Sequence, residues 1–130
     1  MNEVGKSATR IDALAKVTGK AKYPGDFTFA DQLFMKVLFS KRVHARILSI
    51  DTSSAEALDG VVLVFTARDV PVNEYGLIYN DQPVLCGPGS DKEGTDIVRF
   101  EGDQVALVVA ESAEIAEKAN TCHHSHMLLA

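Results

Sequence analysis

The chain has 130 residues, 46% hydrophobic and 24% charged, which is enough for one soluble domain with a buried core. The formal net charge is -5, and the only cluster of cations is Lys41, Arg42 and Arg46, so a broad nucleic-acid-binding surface is excluded. The longest apolar runs, Val61–Phe65 and Val105–Ala110, are far shorter than the roughly 20 residues that a membrane span needs.

The N-terminal residues 1–16 are polar, and we interpret them as an irregular arm. Gly5-Lys6-Ser7 looks like the end of a phosphate-binding loop, but the upstream glycine and the preceding strand are missing, which favours an ordinary surface segment. Lys20–Tyr23 form at most a short strand, because Pro24 cannot donate a ladder hydrogen bond.

The first firm strand is Leu33–Ser40. Met35 and Val37 belong to its wholly apolar face, which predicts that this face lies in the core. A second strand, Arg46–Asp51, follows after a short polar link, and this spacing predicts that the two strands pair antiparallel.

A short helix comes next. Ser53 and Glu56 match the S-x-x-E capping box, and Gly60 supplies the left-handed residue that ends the helix. Val61–Phe65 is uninterrupted and apolar, which is typical of a strand buried on both faces.

Residues 72–96 are the least regular part, where Tyr75 and Tyr79 allow a short hairpin and Pro83–Leu85 a small strand. Cys86–Gly94 is glycine-rich, but Pro88 removes one amide and two acidic residues would repel an anion, so we expect a flexible loop and no phosphate site.

The last organised unit has a strand over Ile97–Phe100, a turn with Gly102 at a positive φ, and an apolar strand over Gln104–Ala110. Ser112 then caps a helix that continues to Ala119. Residues 17–119 therefore predict one α+β domain, with mixed or antiparallel strands and two short helices packed on the sheet.

Residues 120–130 change composition abruptly, and we expect a disordered tail. It contains four soft or borderline metal ligands, Cys122, His123, His124 and His126. Zinc sites usually take ligand pairs from two separate segments, and no second pair lies upstream. We therefore expect adventitious affinity for zinc, copper or nickel and no metal site.

The motifs of known chemistry are missing. There is no H-E-x-x-H, G-x-S-x-G or complete nucleotide fingerprint, and two cysteines are too few for an iron–sulfur cluster. We accordingly predict no catalytic residue, no cofactor-binding residue and no metal ligand. The polar N-terminus lacks an apolar signal core, and the two cysteines make no disulfide framework, so we expect a cytoplasmic location.

Several segments nevertheless carry a resemblance to a known family. They are Arg10–Asp12, Lys16–Phe27, Leu33–Pro71 and Val98–Ala119. In this order they resemble the N-terminal α/β hammerhead domain of the molybdenum-hydroxylase large subunit, in the xanthine dehydrogenase and aldehyde oxidase family. The resemblance covers about residues 4–119.

The resemblance implies a structural domain of an oxidoreductase that is not catalytic alone. The molybdopterin cofactor and the catalytic glutamate would lie in further domains of the same subunit, and iron–sulfur and FAD subunits would accept the electrons. No family site residue maps onto this chain.

The match stops near Ala119, which suggests a truncated, frameshifted or cut chain whose exposed face favours self-association. Two alternatives are a stand-alone protein-interaction module and a weak metal-binding protein that uses Cys122, His123, His124 and His126.

Overall fold

The computed structural model describes residues 4–122 and the backbone of residues 124–128. The chain divides into two compact units, Met1–Gln32 and Leu33–Ala130, so the division falls further along the chain than the expected arm of residues 1–16. Among the described residues, no helix is long and apolar enough to cross a membrane.

The first unit has little regular structure. It contains α1 (Ala13–Val17) and a single 3₁₀ turn at Pro24–Asp26. Lys20–Tyr23 form no strand, because the Asp26 carboxylate accepts a hydrogen bond from the Tyr23 amide at 2.9 Å and starts the turn instead. None of the described residues up to Gln32 is buried, so this unit has no hydrophobic core of its own there.

The second unit is built from two antiparallel three-stranded sheets. Its elements are β1 (Phe34–Phe39), β2 (Ala45–Asp51), α2 (Ser53–Glu56), β3 (Val61–Phe65), β4 (Ile97–Val98), β5 (Gln104–Ala110), α3 (Ala113–Thr121) and β6 (His124–Leu128). The first sheet has the order β1-β5-β3, and the second has the order β4-β2-β6. The predicted α+β class with antiparallel strands and short helices is confirmed.

The prediction that β1 pairs with β2 is wrong, since the two strands lie in different sheets. The reason is the anchoring of Ser40, whose amide donates to the Asp103 carbonyl at 2.9 Å and whose hydroxyl donates to the Phe100 carbonyl at 3.0 Å. Lys41 then adopts a φ of 53° and turns the chain away from β1.

The predicted capping box of α2 is also wrong. The Asp51 carboxylate accepts hydrogen bonds from both the amide and the hydroxyl of Ser53, at 3.0 and 2.6 Å, so Thr52 is the N-cap residue. The Glu56 carboxylate instead accepts from the Thr52 hydroxyl at 2.6 Å. The role of Gly60 is confirmed by its φ of 83°.

The region before β5 differs from expectation in four places. The predicted hairpin is reduced to a single bridge between Tyr75 and Gln82, and Pro83–Leu85 form no strand. The expected strand is shortened to β4, which pairs with β2. Gly102 does not have a positive φ; a Cβ there would lie 2.3 Å from the Phe100 ring, so a larger residue would require that exposed ring to shift.

The core of the second unit consists of two clusters. One of these clusters is covered by α3. The Ser112 hydroxyl caps this helix as predicted, by accepting a hydrogen bond from the Ile115 amide at 3.2 Å. The first cluster contains Ala45, Ile47, Ile50, Cys86, Val98 and Val105. The second contains Ala55, Val108 and Ala119, with Leu58, Val61, Val64 and Cys122 packed against them.

The C-terminal residues differ from the disordered tail that composition suggested. Helix α3 continues to Thr121, and β6 pairs antiparallel with β2. Strand β2 pairs with β4 along one edge and with β6 along the other. The backbone of β6 therefore satisfies hydrogen-bonding groups of β2 although the segment is polar in sequence. His123 lies outside the described residues.

Candidate functional site

One face of the first sheet is covered by helices. Val108 of β5 is fully buried there and packs with Ala55 and Ala119. The Lys36 ammonium group of β1 lies 2.9 Å from the Glu117 carboxylate of α3. The charged residue of β1 therefore belongs to the covered face, where a helix side chain neutralises it.

The opposite face of the same sheet is apolar and uncovered. The strand register aligns two rows of three residues across it, Met35–Val109–Leu63 and Val37–Leu107–Phe65. Directly aligned residues of antiparallel strands lie on the same face. We call these six residues the open face.

Exposure shows that the open face is at the surface. Met35 is 61% exposed, Leu63 37% and Phe65 38%, and the other three members are half-buried. The prediction that the apolar face of β1 lies in the core is therefore wrong, and so is the prediction that β3 is buried on both faces. Alternation in the sequence distinguishes the two faces, but the position of α3 decides which one is covered.

The chemistry of the open face favours protein packing. None of its six side chains can be charged or donate a hydrogen bond. Burying apolar surface contributes about 25 cal/mol per Å². A contiguous exposed apolar patch on a soluble domain indicates an interaction surface, so the open face is the candidate functional site of this chain.

A cavity of about 330 Å³ lies beside Cys86 and includes Tyr75, Arg99, Phe100 and Asp103 in its lining. Burial, with a further contribution from the Asp103 carboxylate, raises the pKa of the Cys86 thiol to about 12, although Arg99 acts in the other direction. A thiol with so high a pKa is neutral at pH 7 and is not a nucleophile. The cavity therefore has no activated catalytic cysteine.

Two of the charged groups that line this cavity, Arg99 and Asp103, are engaged within the protein. The Arg99 guanidinium donates to the Ile97 carbonyl at 3.1 Å, and the Asp103 carboxylate accepts from the amides of Arg99 and Phe100 at 2.6 and 3.1 Å. These contacts hold the turn before β5, so both charged side chains already have a structural role.

A second cavity of about 400 Å³ lies along the glycine-rich loop. Its cations are paired, because Arg46 lies 2.8 Å from Asp96 and Lys92 lies 2.7 Å from Glu74. A phosphate group would have to compete with these carboxylates. The absence of a phosphate site in this loop stays a prediction.

The ligands in the tail fall largely outside the described side chains. Among the residues whose side chains are described, no group of three or more His, Cys, Asp or Glu residues is placed to hold a metal ion. His123 is outside the described residues, and only the backbone is described for His124 and His126. Cys122 packs against the cluster that contains Val108.

Comparison with known proteins gives a consistent result. The family model described as "Aldehyde oxidase and xanthine dehydrogenase, a/b hammerhead domain" matches residues 18–122. The chain is 46% identical over 114 residues to a probable xanthine dehydrogenase subunit of Bacillus subtilis, covering 87% of this chain and 14% of that protein. It is 38% identical to the nicotinate dehydrogenase large molybdopterin subunit of Eubacterium barkeri, covering 89% of this chain and 26% of that protein.

Solved structures show the same similarity. The aldehyde oxidoreductase of Desulfovibrio desulfuricans superimposes with a TM-score of 0.83 at 29% identity, over 97% of this chain and 14% of that one. The quinoline 2-oxidoreductase of Pseudomonas putida gives a TM-score of 0.80 at 31% identity, over 99% of this chain and 16% of that one. The matched proteins are thus several times longer than this chain.

Proposed function

Because the chain belongs to the aldehyde oxidase and xanthine dehydrogenase family through its α/β hammerhead domain, we propose that it is a scaffold domain of a molybdenum-dependent hydroxylase. In this proposal the open face packs against other domains of the large subunit. The observation that carries it is a row of exposed apolar side chains in a segment that forms 14% of the length of its Bacillus subtilis relative.

We propose that the reaction takes place outside this chain. One of the relatives is named as a large molybdopterin subunit and another as a molybdenum-binding subunit. Molybdopterin carries a phosphate group, whereas Arg46 and Lys92 of the second cavity are paired with carboxylates and Arg99 of the first donates to a backbone carbonyl. The residues of these cavities do not fit the cofactor, and we assign no catalytic, cofactor-binding or substrate-binding role to any of them.

The same proposal covers the partners of the domain. Its immediate partners would be the molybdopterin-binding domains, and iron–sulfur and FAD subunits would complete the electron path of the assembled enzyme. The burial of Cys86 as a thiol supports a reducing, cytoplasmic location. A stand-alone interaction module is not favoured, because both relatives contain the matched segment within a much longer chain.

A chimaera tests the proposal. The matching segment of the Bacillus subtilis relative is replaced by this chain, and the yield of soluble large subunit and its molybdenum content are measured. We expect the chimaera to assemble. The same chimaera with Leu63→Lys should lose assembly, because a lysine on the open face would be buried without a partner.

Val62→Lys is the matched control. Val62 is a neighbour of Leu63 on β3 and is 48% exposed. Val61 and Leu63 are aligned with residues of β5, whereas Val62 lies at the register shift between them and belongs to neither row of the open face. Equal assembly of the Leu63→Lys and Val62→Lys chimaeras would show that the open face is not the packing surface.

A further inference from the structure

The pairing of β6 with β2 places one histidine opposite an acidic residue and a second histidine two positions further along β6. The register aligns His124 with Asp51 and His126 with Ser49. Residues two apart on a strand lie on the same face, and the Cβ atoms of directly aligned residues are about 4.5–5.5 Å apart. We propose that the positions of Asp51, His124 and His126 together form a binding site for a divalent transition-metal ion such as Zn²⁺.

The burial of β2 shows which face these positions share. Ile47 and Ile50 of β2 are buried in the core, whereas Ser49 and Asp51 are exposed. Ser49 and Asp51 therefore lie on the solvent face of the second sheet, and the backbone register places His126 and His124 opposite them. An ion in water can reach this face without any opening of the core.

Asp51 is already oriented for such a role. Its Oδ1 atom accepts hydrogen bonds from the amide and the hydroxyl of Ser53, at 3.0 and 2.6 Å. Carboxylates that bind metals are commonly held by such outer hydrogen bonds. The cation nearest along the strand on this face, Arg46, is paired with Asp96 at 2.8 Å, which reduces its repulsion of a metal ion.

The register removes an objection that the sequence raises. Zinc sites draw ligands from separate segments, and the tail alone offers only one. Strand β2 supplies the second segment through Asp51. Histidine and aspartate are residue types that zinc takes as ligands, and a set of three protein ligands would leave one tetrahedral position for water.

Calorimetric titration of the untagged protein with ZnCl₂ tests the proposal. We expect one ion per chain and a rise in melting temperature with zinc. Asp51→Asn keeps the size and the Ser53 contacts but removes the charge. Since losing even an outer partner of a ligand weakens metal binding by about 10–100-fold, we expect at least that loss.

A gain of affinity tests the register itself. Ser49→His adds a third imidazole at the position aligned with His126 and should tighten zinc binding. Ala57→His adds one at an exposed position outside the second sheet and should leave affinity unchanged. His44→Asn, which removes the only histidine outside the tail, should also have no effect.

Three results would overturn the proposal. The first is the absence of zinc binding in the wild-type protein. The second is binding that Asp51→Asn leaves unchanged while Cys122→Ser or His123→Asn abolishes it, which would assign the affinity to the tail alone. The third is an equal response to Ser49→His and Ala57→His, which would indicate adventitious binding to any added histidine.

Discussion

The side chain of Asn73 and the backbone of Leu85 form a reciprocal pair of hydrogen bonds. The Asn73 amide nitrogen donates to the Leu85 carbonyl at 2.8 Å, and the Leu85 amide donates to Asn73 Oδ1 at 2.9 Å. Both residues are buried. One side chain thus satisfies both polar backbone groups of Leu85 in a stretch that forms no strand, and it closes the irregular loop between them.

Replacing Asn73 should therefore be costly. Asn73→Ala leaves a buried carbonyl and a buried amide without partners, so we expect a loss of about 2–4 kcal/mol in the free energy of unfolding. Urea denaturation measures this loss. Asn80→Ala, at an exposed position of the same loop, should change stability by less than about 0.5 kcal/mol. A similar effect of the two substitutions would contradict a role for the reciprocal pair.

Substitution of Val108 tests how much packing on the covered face contributes to the free energy of unfolding. It is fully buried between the first sheet and α3, so Val108→Ala should lower the free energy of unfolding by about 1.5–3 kcal/mol through lost burial and a residual cavity. Val62→Ala makes the same chemical change at an exposed position and should cost less than about 0.5 kcal/mol. Thermal or urea unfolding compares them, and equal losses would mean that the packing of α3 contributes little.

The raised pKa of the buried Cys86 thiol predicts that the protein loses stability at high pH. The folded thiol has its pKa raised to about 12 by burial, whereas an unfolded thiol ionises at about pH 8.5. Below that pH both states hold the proton. Above it the unfolded chain releases the proton and the folded chain keeps it, so stability should fall by about 1.4 kcal/mol per pH unit until the folded thiol ionises.

The difference between the wild-type protein and Cys86→Ala isolates this effect, because other groups titrate in both proteins. Urea denaturation between pH 7.5 and 10.5 should show the stability difference changing with pH only above about 8.5. Cys122→Ser should retain the pH dependence of the wild type if Cys86 is its source. A constant difference between wild type and Cys86→Ala would show that the Cys86 thiol ionises as readily in the folded protein.

The open face predicts self-association of the isolated chain. Sedimentation velocity at several concentrations should show a reversible shift to larger species, because apolar side chains such as Leu63 and Phe65 are withdrawn from water when two open faces meet. Leu63→Lys should abolish the shift and Val62→Lys should leave it. A strictly monomeric wild-type protein would show that the open face does not drive association.

The local structure of the second unit is readable from the sequence, whereas its long-range arrangement is not. Apolar alternation locates β1 and β2 to within one or two residues, and Gly60 marks the turn before β3. The pairing partners depend on Ser40, whose contacts with Phe100 and Asp103 join segments far apart in the sequence. A pattern within one strand carries no information about such contacts.

The open face illustrates the same limit. A lysine in β1 suggests a solvated, uncovered face, yet Lys36 lies beside α3, where its ammonium group pairs with the Glu117 carboxylate at 2.9 Å. The wholly apolar face of β1 is the one left exposed. In the sequence, this face is marked only by its lack of polar residues. The structure adds that no helix or strand in the described part of the chain covers it.

The two edges of the first sheet are both interrupted. The register shifts between Leu38 and Phe39 in β1 and between Val61 and Leu63 in β3, and each of these strands pairs only with β5 among the described strands. An irregular edge is a poor template for another strand, so it opposes the open-ended growth of a shared sheet into fibrils. We therefore expect other polypeptides to contact the first sheet through its face and not through its edges, which limits such assemblies to a finite size.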